Sequence, residues 1–185
     1  MRAVVITRHG PPEVLRVLER PDPRPGANEV LIDVRAAGVN FADLQARLGL
    51  YPDAPKPPCV VGYEVAGVVL AAGRGVHGVR AGDRVMAGTR FGGYAERVAV
   101  QVRDVVPMPE RLTFEEAAAV PVAYATAWCA LHRFGALARG ERVLIHGAAG
   151  GVGLAAAQFA TAAGAEVWGT ASPHKHEAVR EQGFE

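Results

Sequence analysis

Apolar positions follow two regimes along the chain, with a change near residue 110. Before it they come in short runs. Glu29–Ala37 alternates apolar and polar residues over its first half, the period of a half-buried strand. Arg2–Ile6 and Val14–Val17 read as a hairpin, followed by the proline-rich connection Pro21–Pro25. Val60–Ala71, Asp83–Ala87, Tyr94–Val100 and Asp104–Val106 read as further strands, separated by glycine-rich turns such as Gly73–Gly78 and Gly92-Gly93. Many short strands with glycine turns predict a compact barrel or sandwich.

After residue 110 the runs lengthen. Thr113-Phe114-Glu115-Glu116 has the form of a capping box, the Thr hydroxyl taking the third N–H and Glu116 returning the bond. A helix Phe114–Val120 stops at Pro121, and Ala123–Phe134 is a second helical run. Arg142–His146 is a short apolar run that predicts a buried strand, and Gly147–Gly153 a glycine-rich turn. Val152–Ala163 carries small or apolar residues and one Gln, as a helix packed on a sheet does, and Ala165–Thr170 starts a second strand. Strand, glycine turn, helix and strand within about thirty residues form the first unit of a dinucleotide-binding domain. The boundary falls near 115–125, giving domains 1–120 and 121–185.

The turn has a specific chemistry. A diphosphate is anionic, and a helix N-terminus offers free N–H groups and a partial positive charge. Glycine is needed where backbone meets phosphate. Within Ala149-Gly150-Gly151-Val152-Gly153, Gly150 supplies that approach and Gly153 lets the helix lie close on the strand. Ala148 replaces the usual first glycine, and a plain tight turn is the competing reading. NAD sites place an acid at the end of the second strand, about 20 residues on, to hold the ribose. Here Gly169–Lys175 contains none. The hydroxyl of Ser172 and the cation of Lys175 suit a 2′-phosphate instead, which favours NADPH, while Ser172 also fits the N-cap of the next helix, ahead of Pro173.

Composition narrows the class. The 185 residues are half hydrophobic and carry a formal net charge of +1, which argues against a nucleic-acid surface or a polybasic anchor. No apolar run reaches the roughly 18 residues of a membrane span, and a signal-peptide core is absent. Cys59 and Cys129 are lone thiols in apolar settings, as in a reduced cytoplasmic protein.

Val39-Asn40-Phe41-Ala42-Asp43, Gly62-Tyr63-Glu64-Val65-Ala66-Gly67, Gly82-Asp83-Arg84-Val85, Gly92-Gly93-Tyr94-Ala95-Glu96, Glu115–Ala119 and His146–Gly153 occur in the order seen in medium-chain dehydrogenase/reductases. Over essentially the whole chain they resemble the zinc-free quinone oxidoreductase (zeta-crystallin) branch, and the Asn40 segment is also similar to vesicle amine transport protein 1 homologues. The resemblance implies a GroES-like β-barrel catalytic domain followed by the first half of a Rossmann domain, with the active site in the cleft between them. It further implies NADPH as cofactor, a quinone or α,β-unsaturated carbonyl as substrate, and a homodimeric parent.

The superfamily's alcohol dehydrogenases carry Cys where Asn40 stands and His where Tyr63 stands, so the catalytic zinc cage lacks its ligands. That agrees with the chemistry: alcohol oxidation needs a Lewis acid for the alkoxide, whereas a conjugated acceptor holds its own electron sink. By resemblance Asn40 bonds a carbonyl oxygen, unless it only orders a strand-to-helix turn. Tyr51 lines the substrate cleft, or packs. Thr126 approaches the nicotinamide, or bonds back within its helix; Tyr124 is a weaker candidate for the cleft. Asp43 reads as a structural cap and His146 as a satisfied core or turn histidine. Against the resemblance, the chain ends just after the second Rossmann strand and its helix, so it reads as a truncated piece or a naturally short protein with a bare sheet edge and an uncovered helix face. A non-catalytic NADP-binding module and an interaction platform are the alternatives.

Overall fold

The computed structural model describes residues 1–184, which divide into two compact units, Met1–Val122 and Ala123 onward. The first unit is built on a five-stranded antiparallel sheet. Its strands are β3 (Glu29–Ala37), β4 (Glu64–Ala72), β5 (Arg84–Gly88), β6 (Arg97–Gln101) and β7 (Val105–Pro107), in the order β6-β3-β4-β5-β7. A hairpin of β1 (Arg2–Ile6) and β2 (Leu15–Glu19) joins the sheet's surroundings through the bridges Ala3–Ala95 and Ile6–Cys59. Alternation aims Val30 and Ile32 of β3 inward, where they meet Val65, Val69, Val85, Val98 and Val100. Each such buried valine is worth about 1.5–3 kcal/mol. Irregular register between Leu31 and Ile32, and between Val34 and Ala36, kinks β3 and curls the sheet toward a barrel. The strands touch closely enough that a Cβ on Gly67 would lie 2.1 Å from the Asp33 carbonyl oxygen.

Helix α1 (Phe41–Leu48) follows β3 and ends at Gly49 in the left-handed region, φ 77°. It lies in a stretch where the hydrophobic pattern names only strands. The apolar run from Val60 also differs from expectation, because pairing starts only at Glu64. Gly62 takes φ 105°, and the backbone of Val60–Gly62 receives the N–H groups of Gly92, Gly93 and Tyr94 instead of a neighbouring strand. α2 (Phe114–Ala118) carries the capping box read from the sequence: Thr113 Oγ1 accepts the Glu116 N–H at 3.2 Å, and Glu116 Oε2 accepts the Thr113 N–H at 2.8 Å. It packs Ala117 and Ala118 on Ala66 and Met108. Pro121 then opens α3 (Pro121–Trp128), where its missing N–H leaves no helical bond unmade.

In the second unit the helical run of α3 widens into a π turn over Cys129–Phe134, with the Gly135 N–H reaching the Ala130 carbonyl five residues back at 2.9 Å. β8 (Arg142–His146) and β9 (Glu166–Thr170) pair in parallel with Leu144 opposite Trp168, joined by α4 (Gly151–Ala162). This is a βαβ unit. α4 presents alanines, so it sits close: Ala157 and Ala160 pack with Val167, Val143 and Ile145, while Ala155 and Ala156 meet Ala127. The opposite face of the two strands carries Leu144, 60% exposed, beside Trp168. Ser172 and Pro173 lead through a single turn into α5 (His176–Arg180), and Gly183 follows at φ 86°. Among the described residues no helix is long and apolar enough to cross a membrane.

Candidate functional site

In the first unit a buried polar cluster gathers where β3, α1 and β4 meet. Asn40 occupies the N-cap of α1, with extended backbone, and Asp43 is the third residue of that helix. Asp43 Oδ2 accepts the Asn40 backbone N–H at 2.8 Å, and its Oδ1 accepts the Gly62 N–H at 3.0 Å. Asp43 is therefore a structural cap, as read from the sequence. The Asn40 side chain is held separately: its Nδ2 donates to Glu64 Oε1 at 2.8 Å. Glu64 Oε2 accepts the Val122 N–H, also at 2.8 Å. Asp43 and Glu64 are only 4% and 3% exposed. Burial pushes both carboxyls above their ordinary range, and the hydrogen bonds each accepts work against that.

Aromatic rings stand beside this cluster. Tyr51, just past the end of α1 and half-buried, meets Tyr63 edge-on with centroids 5.8 Å apart. Tyr63 in turn lies 5.5 Å from Phe91. Burial, with help from Tyr51 and Asp43, pushes the Tyr63 phenol up to about 12, so it stays protonated at neutral pH. The Tyr63 hydroxyl is buried without a hydrogen-bond partner among the described residues. Among the described residues no three His, Cys, Asp or Glu side chains gather as a metal site requires.

The second unit holds the glycine turn. Gly147 takes φ 70°, the Ala148 N–H is fixed to the Thr170 carbonyl at 3.0 Å, and His146 Nδ1 lies 3.1 Å from Thr170 Oγ1. The two strand ends and the turn are thus pinned together. His146 is exposed and satisfied there, a turn histidine and not a core one. α4 starts at Gly150, which has no side chain to cap it, leaving first-turn N–H groups at Gly151, Val152 and Gly153 for an outside acceptor. A Cβ on Gly153 would sit 2.6 Å from the Gly147 carbonyl oxygen, so this glycine is required by packing. At Gly150 the nearest atom to such a Cβ is that same oxygen at 3.2 Å, and the remaining space is open. Ala149 follows the buried Ala148 in the turn. A twelve-residue helix with an uncapped glycine start is a cradle that fits a diphosphate.

At the end of β9, Ser172 stands at the N-cap position, yet its hydroxyl makes no capping bond; only its carbonyl is used, by the Lys175 N–H at 2.8 Å. Lys175 is exposed and joins none of the ion pairs among the described residues. Both polar groups remain available to a phosphate. Thr126 is exposed on α3. Tyr124 is committed elsewhere, its hydroxyl donating to Gln158 Oε1 at 2.8 Å and its ring edge-on to Phe159.

Each sequence-derived residue thus falls in one of two local groups: Asn40 and Tyr51 in the first unit, and Thr126, Ala149–Gly153, Ser172 and Lys175 in the second. Sequence reasoning missed Glu64 as the partner of Asn40. The signal was there: a lone carboxylate inside the apolar run from Val60 to Val69 has to find partners or stay costly.

The alcohol dehydrogenase GroES-like domain family matches residues 26–110. The synaptic vesicle membrane protein VAT-1 homolog of Rattus norvegicus is 47% identical over 186 aligned residues, covering 99% of this chain and 46% of that protein. The crystal structure of Escherichia coli quinone oxidoreductase complexed with NADPH superposes with a TM-score of 0.92 at 35% identity, over 100% of this chain and 57% of that one. The CurK enoyl reductase structure gives 0.95 at 36% identity, over 100% and 58%. The chain spans about half the length of the curated relatives it matches. Fold, motif order and these likenesses agree: the chain belongs to the medium-chain dehydrogenase/reductase superfamily, in its zinc-independent, quinone-oxidoreductase-like branch.

Proposed function

We propose that this chain carries the acceptor-binding and dinucleotide-binding elements of an NADPH-dependent oxidoreductase that reduces a quinone or an α,β-unsaturated carbonyl without zinc. Residues 1–120 form its catalytic domain and 121–185 the first half of its NADP-binding domain. The observation that carries the reading is the start of α4, an uncapped, glycine-lined helix N-terminus with an uncommitted hydroxyl and cation at the end of β9. In this assignment the Gly151, Val152 and Gly153 N–H groups hold the diphosphate, with Ala149 and Gly150 giving the backbone its close approach. Ser172 and Lys175 hold the 2′-phosphate, and Thr126 stands on the nicotinamide side.

When bound, NADPH supplies the hydride. Asn40 donates an amide N–H to the acceptor carbonyl oxygen, where charge grows as the conjugated system is reduced. A hydrogen bond suffices because the acceptor spreads that charge itself. Tyr51 offers a flat apolar wall to a planar ring. The test is NADPH oxidation with a quinone and an enone, by the 185-residue chain and by a longer chain of its relatives' length. Reduction that falls at least tenfold in Asn40→Ala is expected. NADPH binding with no reduction of either acceptor by either chain would overturn the enzyme reading in favour of a non-catalytic module.

A further inference from the structure

Asn40 is held by two buried carboxylates that do different work. Asp43 takes its backbone N–H, and Glu64 takes its side-chain amide. A carboxylate only accepts, so Nδ2 faces Glu64 and the carbonyl Oδ1 is turned away from it; the flip of the amide is set by chemistry. Glu64 is itself fixed at its other oxygen by the Val122 N–H. The pocket has no slack, because a Cβ on Gly38 would lie 2.2 Å from Glu64 Oε1 and 2.6 Å from its Cγ and Cδ. Gly38 also donates its N–H to the Glu64 carbonyl at 3.2 Å, tying the end of β3 to the start of β4.

A free carboxylate in this position would be expensive to bury, and a strand start needs none. Here it accepts one N–H of the Asn40 amide, which has a second N–H to give. We propose that Glu64 is a positioning residue for Asn40, fixing the amide so that an acceptor carbonyl meets a preset donor. The substrate half of this statement rests on the reductase reading above; the Glu64–Asn40 coupling does not.

The chain has only two asparagines, Asn28 and Asn40, so selective ¹⁵N-asparagine labelling of the 185-residue chain gives two side-chain amide signals. Asn28 is exposed and serves as the internal control. The expected spectrum shows one Asn40 amide proton displaced downfield of its twin, and that separation collapses toward the Asn28 value in Glu64→Gln. Glu64→Asp, which keeps the charge and withdraws it by one methylene, should collapse it as well, and covers the case in which Glu64→Gln does not fold. A separation unchanged in either folded variant overturns the proposal. The kinetic arm uses NADPH with 9,10-phenanthrenequinone, which offers no open ring carbon to Cys59 or Cys129. There Glu64→Gln should raise the quinone KM about tenfold, leave the NADPH Kd unchanged, and add nothing further in an Asn40→Ala background. Losses that multiply in the double variant would mean that Glu64 acts on the fold and not through Asn40. Absence of any wild-type turnover would sink the reductase reading alone, and the amide spectrum would still decide the role of Glu64.

Discussion

At the scale of single residues the second unit's site stands on space and charge. Gly150 borders open room, so Gly150→Val places a branched side chain where the diphosphate would lie. The expected result is loss of dinucleotide binding with little change in the unfolding midpoint, read by calorimetric titration beside a thermal melt; retained affinity would remove the turn from the site. Lys175→Glu should weaken NADPH about tenfold or more and NADH hardly at all. Equal effects on both would undo the 2′-phosphate assignment. The buried carboxylates carry a pH signature. Burial raises the carboxyl pKa values of Asp43 and Glu64, so folding penalises their charged forms relative to the unfolded chain. Their contribution to stability is full below the ordinary carboxylate range and is lost as pH rises through the raised values. The melting midpoint of the wild-type chain, relative to Glu64→Gln, should therefore rise as pH falls from about 7 to about 5. A constant difference would show that Glu64 is not shifted.

At the scale of elements, legibility follows how local the cause is. The capping box of α2 and the glycine turn before α4 depend on residues within a few positions of each other, and both stand in the structure as their sequences imply. Thr113→Ala should cost about 1 kcal/mol by denaturant unfolding. Helix α1 escaped the pattern because its polarity is inverted. It buries Asp43 and turns Phe41, 74% exposed, outward with Leu44 and Leu48, so the apolar stripe marks the open side. The partnership of Glu64 with Asn40 spans 24 positions and rests on how β3 and β4 align, which no window along the chain contains. Close strand contact is likewise a tertiary fact. Gly67→Ala pushes a methyl into the Asp33 carbonyl and should destabilise the first unit by about 1–3 kcal/mol or more, with a lowered urea midpoint as the readout.

At the scale of the whole molecule, sequence order gave the architecture its outline, since the strand-rich stretch and the βαβ unit each declare themselves by periodicity. It gave less about what each unit leaves open. The apolar residues Leu144 and Trp168 look inward-facing in a sequence run, yet they share the face of the β8–β9 pair that α4 does not cover. A two-stranded parallel sheet with one bare face buries little for its size, and its core is shared between the alanines of α4 and the buried Val179 and Phe184. The proposed role of this unit is to hold the phosphate half of a dinucleotide. Its most direct test is a calorimetric titration of the 185-residue chain with NADPH and, separately, with NADH. Saturable binding of both is expected, with NADPH the tighter by tenfold or more. A folded chain that binds neither, or binds both equally, would contradict it.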